Sequence, residues 1–352
     1  MKFKSKKLLL GIVVVLVAIL AIVYSRFSAN KVTKNNGTIS SKIRVAYGIT
    51  NLDTVPLIIA YQKGYFRDKG IEIELTQATG SDGAVAVSSG KVDIAIVSAP
   101  RLYGPIDKGA PVKMLSPMSN TYSEVFIRPN SGIKTLKDLE GKKVSLGPGG
   151  GAKELFLKNI LKNENVDVKK INFIAVDNIY LPTALMDKKA IDVALISDAN
   201  YVDQALKLGG VILPEWQTKD YHKVSTGLVV AANTDFLNSH QEIMKNFFEA
   251  IIEANRYLKS NIDDVAIISA KFFKDNTNGA MDINPDDFKN LVISGRVTYD
   301  LWEDTTPILQ MASISYDLGQ TERILTLNDL YDLRFKDLLE SAQNEIYGSV
   351  KN

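Results

Sequence analysis

The chain has 352 residues, 45% of them hydrophobic and 23% charged, with 42 Lys/Arg against 40 Asp/Glu, two His and no Cys. This is globular composition at a length that allows one large or two medium units. The missing cysteines exclude structural disulfides, thiol chemistry, Cys-based metal sites and a lipidated-cysteine anchor. Residues 1–41 hold seven Lys/Arg and no acid, leaving 35 Lys/Arg against 40 Asp/Glu in 42–352, a net charge of −5; the globular part gives no reason to expect a nucleic-acid partner.

Residues 1–27 read as lysines followed by a transmembrane anchor or signal. Leu8 to Tyr24 is an uncharged run, LLLGIVVVLVAILAIVY, about 25 Å long as a helix and near the lower limit for a membrane span. Lys2, Lys4, Lys6 and Lys7 precede it, which places the N-terminus in the cytoplasm and the rest outside the cell membrane. A cleaved signal peptide is the alternative and would give a secreted or periplasmic protein. Phe27-Ser28-Ala29 has Phe where a cleavage site needs a small residue, and Val23-Tyr24-Ser25 is a weak match, so the expectation is a retained helix. Residues 28–41 are small and polar, a flexible stalk that carries the sequon Asn36-Gly37-Thr38.

From Lys42 the chain alternates short β-branched runs with longer amphipathic stretches. Strands are predicted at 43–47, 71–75, 92–97 and 112–118, with helices at Pro56–Asp68, Ser81–Ser89 and Arg101–Lys108 between them. The pattern restarts with strands at 123–130, 142–146, 171–176 and 191–196 and helices at Ala152–Lys162 and Leu181–Lys188. Asn200–Lys207 and 211–213 complete this second unit. After a strand at 226–233 the chain reads as helical, near 241–260, 263–274, 285–294, 304–318 and 332–346. The prediction is an α/β protein of two lobes, each a mostly parallel sheet flanked by helices. One lobe uses 42–121 and 229–345, the other 122–228, with a two-strand hinge between them. A ligand then belongs at the carboxyl ends of the strands, in the crevice between lobes.

Three loops at strand ends supply candidate contacts. In Gly48–Thr54, Asn51 and Thr54 can hydrogen-bond a ligand; Asp53 reads first as a helix cap and second as a contact for a cationic or N–H-bearing group. Ser81 either caps the next helix or binds ligand, and Ser98 follows the buried strand 92–97. The loop Gly147-Pro148-Gly149-Gly150-Gly151-Ala152 permits close backbone approach through Gly149, Gly150 and Gly151. It ends in Ala-Lys-Glu, where a phosphate loop needs Gly-Lys-Ser/Thr, so it reads as a polar or oxyanion nest or a structural turn. Tyr122 at the first crossing and Tyr180 could present aromatic faces, whereas Tyr47 reads as core. Ser225 and Thr226, at the second crossing, read as hinge backbone contacts. His222 and His240 lie in polar stretches and read as surface residues. Nothing in the spacing suggests a metal or cofactor, and the segment before 286–294 reads as a helix cap. Trp216 and Trp302 read as packing residues.

The segments 47–75 (YGITNLDTVPLIIAYQKGYFRDKGIEIEL), 80–99, 133–161, 184–200, 225–258 and 295–300 resemble, in order, the solute-binding proteins for nitrate, sulfonates, taurine and thiamine precursors. The similarity covers nearly all of 43–345. It implies a periplasmic-binding-protein type II fold, a small-molecule solute between the lobes, and an ABC permease and ATPase as partners. Many members carry an acidic-Pro-aromatic phrase after the strand 191–196. This chain has Ser197-Asp198-Ala199-Asn200-Tyr201 there, which makes Ser197 and Asp198 candidates and leaves the ligand open.

The expected function is that of an extracytoplasmic solute-binding protein of an importer, anchored by its N-terminal helix. The solute is organic or carries nitrogen or sulfur, because cations near the strand ends are confined to Arg101 and Lys153. The alternatives are a ligand-binding sensor and an enzyme on the same fold. Some relatives make a thiamine pyrimidine precursor through a Cys-rich motif with a His, which a chain without Cys lacks, so the expectation is a protein that is not an enzyme.

Overall fold

The computed structural model describes residues 41–348, apart from 51, 79–80, 122, 148–150, 189, 220–226 and 303–304. The run Leu8–Tyr24, residues 28–40 of the predicted stalk with its sequon, Asn51, Tyr122, Gly149, Gly150, His222, Ser225 and Thr226 lie outside the described residues, whereas Ser41, read as the end of the stalk, already belongs to the first strand. Among the described residues no helix is long and apolar enough to cross a membrane.

The described strands are β1 (Ser41–Tyr47), β2 (Ile71–Gln77), β3 (Ile94–Ser98), β4 (Val112–Pro117), β5 (Asn120–Thr121), β6 (Glu124–Ile127), β7 (Lys143–Ser145), β8 (Asn172–Phe173), β9 (Val193–Ile196), β10 (Val211–Ile212), β11 (Leu228–Asn233) and β12 (Val297–Thr298). They form two five-stranded sheets, β2-β1-β3-β11-β4 and β10-β6-β9-β7-β8, and a small pair β12-β5. Read from the β8 edge, the second sheet repeats the plan of the first. Each has one antiparallel strand, β11 in the first and β6 in the second, at the position next to last. Those two strands are the ones that follow the chain's passages from one sheet to the other. In β9 every residue is buried, and in β3 every residue but the last, as expected of strands covered by helices on both faces.

The helices explain the covering. Val55–Lys63 and Tyr65–Asp68 are two helices where one was predicted, because Gly64 adopts φ +82° and ends the first in a left-handed conformation that favours glycine. Phe66 then stacks on Phe247 of the helix Gln241–Ser260, with ring centroids 5.2 Å apart. The C-terminal helices do more than cover the first sheet. Thr306–Asp317 packs against Ala152–Asn163, and Pro285–Ile293 against Ala199–Lys207, so both reach helices of the second sheet.

Several predicted elements shrink. The run 171–176 keeps only β8, and the strand predicted at 123–130 ends at Ile127, before Asn130 turns the chain with φ +57°. The short β5–β12 pair and the helices Thr234–Ser239 and Leu327–Leu330 were not predicted; each is too short to show a period. The cap reading before 286–294 holds: the Asn284 side chain accepts the Asp286 N–H at 2.8 Å. Trp216 is fully buried, edge-on to Phe156, and donates to the Ser123 carbonyl at 3.0 Å. His240 departs from its surface reading. It is half-buried and stacks on Phe236, since it closes the helix Thr234–Ser239.

Candidate functional site

Four charged side chains gather on the seam between the two sheets. Asp53 comes from the turn after β1, Arg101 from the helix after β3, Lys153 from the first turn of Ala152–Asn163, and Asp198 from the end of β9. Asp53 and Asp198 are buried, 3% and 6% exposed. Polypeptide hides carboxylates in this way only when they are hydrogen-bonded or have a task.

Asp198 does two things. Its Oδ1 accepts the Asn200 N–H at 3.0 Å, capping Ala199–Lys207. Its Oδ2 accepts the Leu52 N–H at 3.3 Å, from the turn after β1. Three residues on, the Tyr201 hydroxyl donates to the Thr50 carbonyl at 3.0 Å. At the far end of that helix Lys207 pairs with Asp287 at 3.0 Å. One helix of the second sheet therefore grips the first-sheet side along its whole length.

Asp53 stands opposite. The N-cap position of Val55–Lys63 falls on Thr54, which is fully buried, and the Asp53 carboxylate turns to Ser119, whose hydroxyl donates to its Oδ1 at 2.7 Å. Tyr299 donates its hydroxyl to the Leu52 carbonyl at 3.1 Å behind it.

The cations form the other pole. Lys153 donates to Asn178 Oδ1 at 2.9 Å, a neutral partner. It acts on the charges of Asp198 and Asp53 without a direct bond to Asp198. Arg101 donates to Ser81 Oγ at 2.7 Å and lies 3.3 Å from where a Cβ on Gly151 would stand. Ser98 closes the seam by accepting the Ala152 N–H at 3.2 Å. A narrow cleft of about 30 Å³ opens beside them, walled by Ala99, Tyr103, Asn120, Ala152, Leu228 and Met311.

Burial pushes the Asp198 carboxyl up to about 7, reinforced by the negative charge of Asp53. Burial likewise pulls the Lys153 ammonium down to about 8, helped by the neighbouring Arg101, while Asp198 and Asp53 oppose it. Burial also lowers Arg101. An acid and a base that both titrate near neutrality, close together in a seam, form an arrangement that can bind polar groups and exchange protons with them.

Of the predicted contacts, Asp53, Thr54, Ser98, Gly151 and Asp198 come together on this seam, and Ser81 joins through Arg101, although Ser81 itself is exposed. Ser197 is half-buried beside Asp198. Tyr180 is 58% exposed, and its near neighbour Asn178 makes the contact to Lys153 instead. Tyr47 is core, with its hydroxyl pushed up to about 12 by burial. The sequence reading missed Ser119, Asn178, Tyr201 and Tyr299. No local signal marks them, because the partner each one bonds lies well away along the chain, 25 residues for Asn178 and 66 or more for the others.

Comparison with known proteins adds to this. The model of the NMT1/THI5 like family matches residues 51–263. A protein of Haemophilus influenzae named for thiamine biosynthesis is 33% identical over 131 residues, 35% of this chain and 41% of that one. The 4-amino-5-hydroxymethyl-2-methylpyrimidine phosphate synthase of Schizosaccharomyces pombe is 27% identical over 92 residues, 26% of this chain and 27% of that one. The matches thus span less than half the length of either relative. The alkanesulfonate-binding protein SsuA of Xanthomonas axonopodis superposes with a TM-score of 0.64 at 14% identity, covering 82% of this chain and 98% of that one. The ligand-binding component of an ABC-type import system from Staphylococcus aureus gives 0.65 at 13%, covering 88% and 100%. The two-lobe binding-protein fold and the resemblance read from the sequence are both borne out. The expectation that the chain is not an enzyme is overturned by the synthase names among its relatives. It rested on missing Cys, which excludes thiol chemistry and leaves carboxylate and amine chemistry untouched.

Proposed function

Because this chain belongs to the NMT1/THI5-like family, we propose that it captures a small nitrogen-bearing organic solute of the aminopyrimidine class between its lobes and hands it to a membrane importer. The observation that carries this is the pair of buried carboxylates, Asp53 and Asp198, brought to one seam from different sheets. Two acids facing a ligand repel a simple oxyanion and accept N–H groups. The relatives named for thiamine biosynthesis and for a pyrimidine phosphate support the class, and the import-system neighbour supports delivery to a permease and ATPase. An extracytoplasmic position, held by the apolar run Leu8–Tyr24, follows from the same reading. In it, Asp53 and Asp198 contact the ring and exocyclic nitrogens, with Thr54, Ser98 and the Gly151 backbone around them.

The test is calorimetric titration of the protein with 4-amino-5-hydroxymethyl-2-methylpyrimidine. One site per chain is expected, and Asp53→Asn weakens binding more than tenfold, about 1.4 kcal/mol or more. Unchanged affinity in Asp53→Asn, or no binding by the parent protein, contradicts the reading.

A second reading has its own observation. Asp198 near 7 and Lys153 near 8 are poised for acid–base work, so the bound pyrimidine could be chemically altered. Mass spectrometry of the solute recovered after incubation checks this: an unaltered mass returns the pair to binding alone.

A further inference from the structure

Where the first passage between the sheets leaves β4 and the second enters β11, their described residues lie side by side just behind the seam. The first leaves β4 at Pro117 and enters β6 at Glu124; the second enters β11 at Leu228. They touch closely. The Met118 N–H donates to the Leu228 carbonyl at 2.8 Å, and a Cβ on Gly227 would stand 1.7 Å from the Ser119 carbonyl oxygen. The first passage is also fastened to the C-terminal part of the chain, since Asn120 donates to Asp300 at 2.8 Å and β5 pairs with β12.

Ser119 sits at this junction and is 1% exposed. Its hydroxyl has one proton to give. It gives that proton to Asp53 Oδ1 at 2.7 Å, and its oxygen accepts the Leu228 N–H at 3.4 Å. A serine needed only to satisfy the crossing could have bonded a backbone carbonyl. This one makes a charge-assisted bond to the carboxylate of the seam.

We propose that Ser119 is a positioning residue that ties the Asp53 carboxylate to both crossings between the lobes, so that solute held by Asp53 and hinge geometry are coupled through one hydroxyl. The inference rests on Asp53 as a solute contact. It adds the element that sets the direction of that carboxylate. Closure turns the lobes about the crossings, and a carboxylate bonded to them keeps a fixed aim as the second lobe arrives.

The experiment is a double-mutant cycle read by titration with 4-amino-5-hydroxymethyl-2-methylpyrimidine, with amide exchange of the ligand-free protein alongside. Ser119→Ala should weaken binding about tenfold in the parent background and less than twofold in Asp53→Asn, because residues that act through one another are non-additive. It should also move the pH at which binding falls off on the acid side to higher pH. In the ligand-free protein, Asp53→Ala should speed exchange of the Leu228 amide at least fivefold, although Asp53 itself does not bond that amide. Equal losses in both backgrounds, or a lowered melting temperature with unchanged affinity and pH profile, overturn the proposal and leave the aminopyrimidine reading standing. Absence of binding by the parent protein removes that reading. The amide-exchange arm then decides the tie alone, and unchanged Leu228 exchange in Asp53→Ala overturns it.

Discussion

Asp198 is held against its preference. Its carboxyl is ionised in water at neutral pH, yet in the seam burial and Asp53 raise it to about 7. The folded chain therefore binds a proton there that the unfolded chain has lost. Between about pH 4 and 7 this makes stability fall as pH rises. Lys153 acts in the opposite sense. Lowered to about 8, it has lost a proton that the unfolded chain keeps, so stability recovers as pH rises from about 8 toward 10. Asp198→Asn keeps an oxygen for the Asn200 N–H but removes the charge and turns an NH2 group toward the Leu52 N–H that Oδ2 accepts. The ligand-free melting temperature of the variant should therefore lose the parent's fall between about pH 4 and 7. Thermal melts across that range check this, and a pH dependence equal to the parent's contradicts it. The same substitution should weaken solute binding. Asp53 and Asp198 were visible as candidates in the sequence because both follow predicted strands. Ser119 and Tyr201 were not, since their partners, Asp53 and Thr50, lie 66 and 151 residues away along the chain.

Among the elements, the long helices were the most legible. Gln241–Ser260 begins and ends where its apolar spacing placed it. Short strands were the least legible: β8 keeps two of the six residues predicted, because β-branched composition marks an extended run but not where its pairing stops. The break at Gly64 was hidden inside a continuous amphipathic run. Only a left-handed φ forces it, and Gly64→Ala should cost about 1 kcal/mol, measured by denaturant unfolding. Gly227 is a stronger case. Its position meets the backbone oxygen of Ser119, which no rotamer change can relieve, so Gly227→Ala must push the two crossings apart. Solute affinity is expected to drop more than tenfold. Affinity equal to the parent's would show that the crossings need not touch. Ala199–Lys207 carries the grip on the first-sheet side, and its outer fastening, Lys207 to Asp287, is exposed on both sides. Removing it by Lys207→Ala should leave the denaturant midpoint of unfolding close to the parent's, because solvent screens an exposed pair.

At the scale of the whole molecule, the matching strand orders of the two sheets were foreshadowed by the restart of the strand–helix pattern after residue 122. The antiparallel strand in each sheet was not, because direction is set by where the chain crosses and leaves no mark in composition. The crossing helices Pro285–Ile293 and Thr306–Asp317 were read as helices of one lobe, yet they lean on the other. Closure in the proposed receptor must therefore slide these contacts as well as bend the hinge. The central claim is that the seam holds a nitrogen-bearing solute through Asp53 and Asp198. The most direct measurement is the melting temperature of the protein with and without 4-amino-5-hydroxymethyl-2-methylpyrimidine, alongside Asp53→Asn and Asp198→Asn. At 100 times its dissociation constant the solute should add about 2.7 kcal/mol of stability to the parent, and at that same concentration less than half of it to either variant. A parent protein that gains nothing, or variants that gain as much as the parent, would contradict the account.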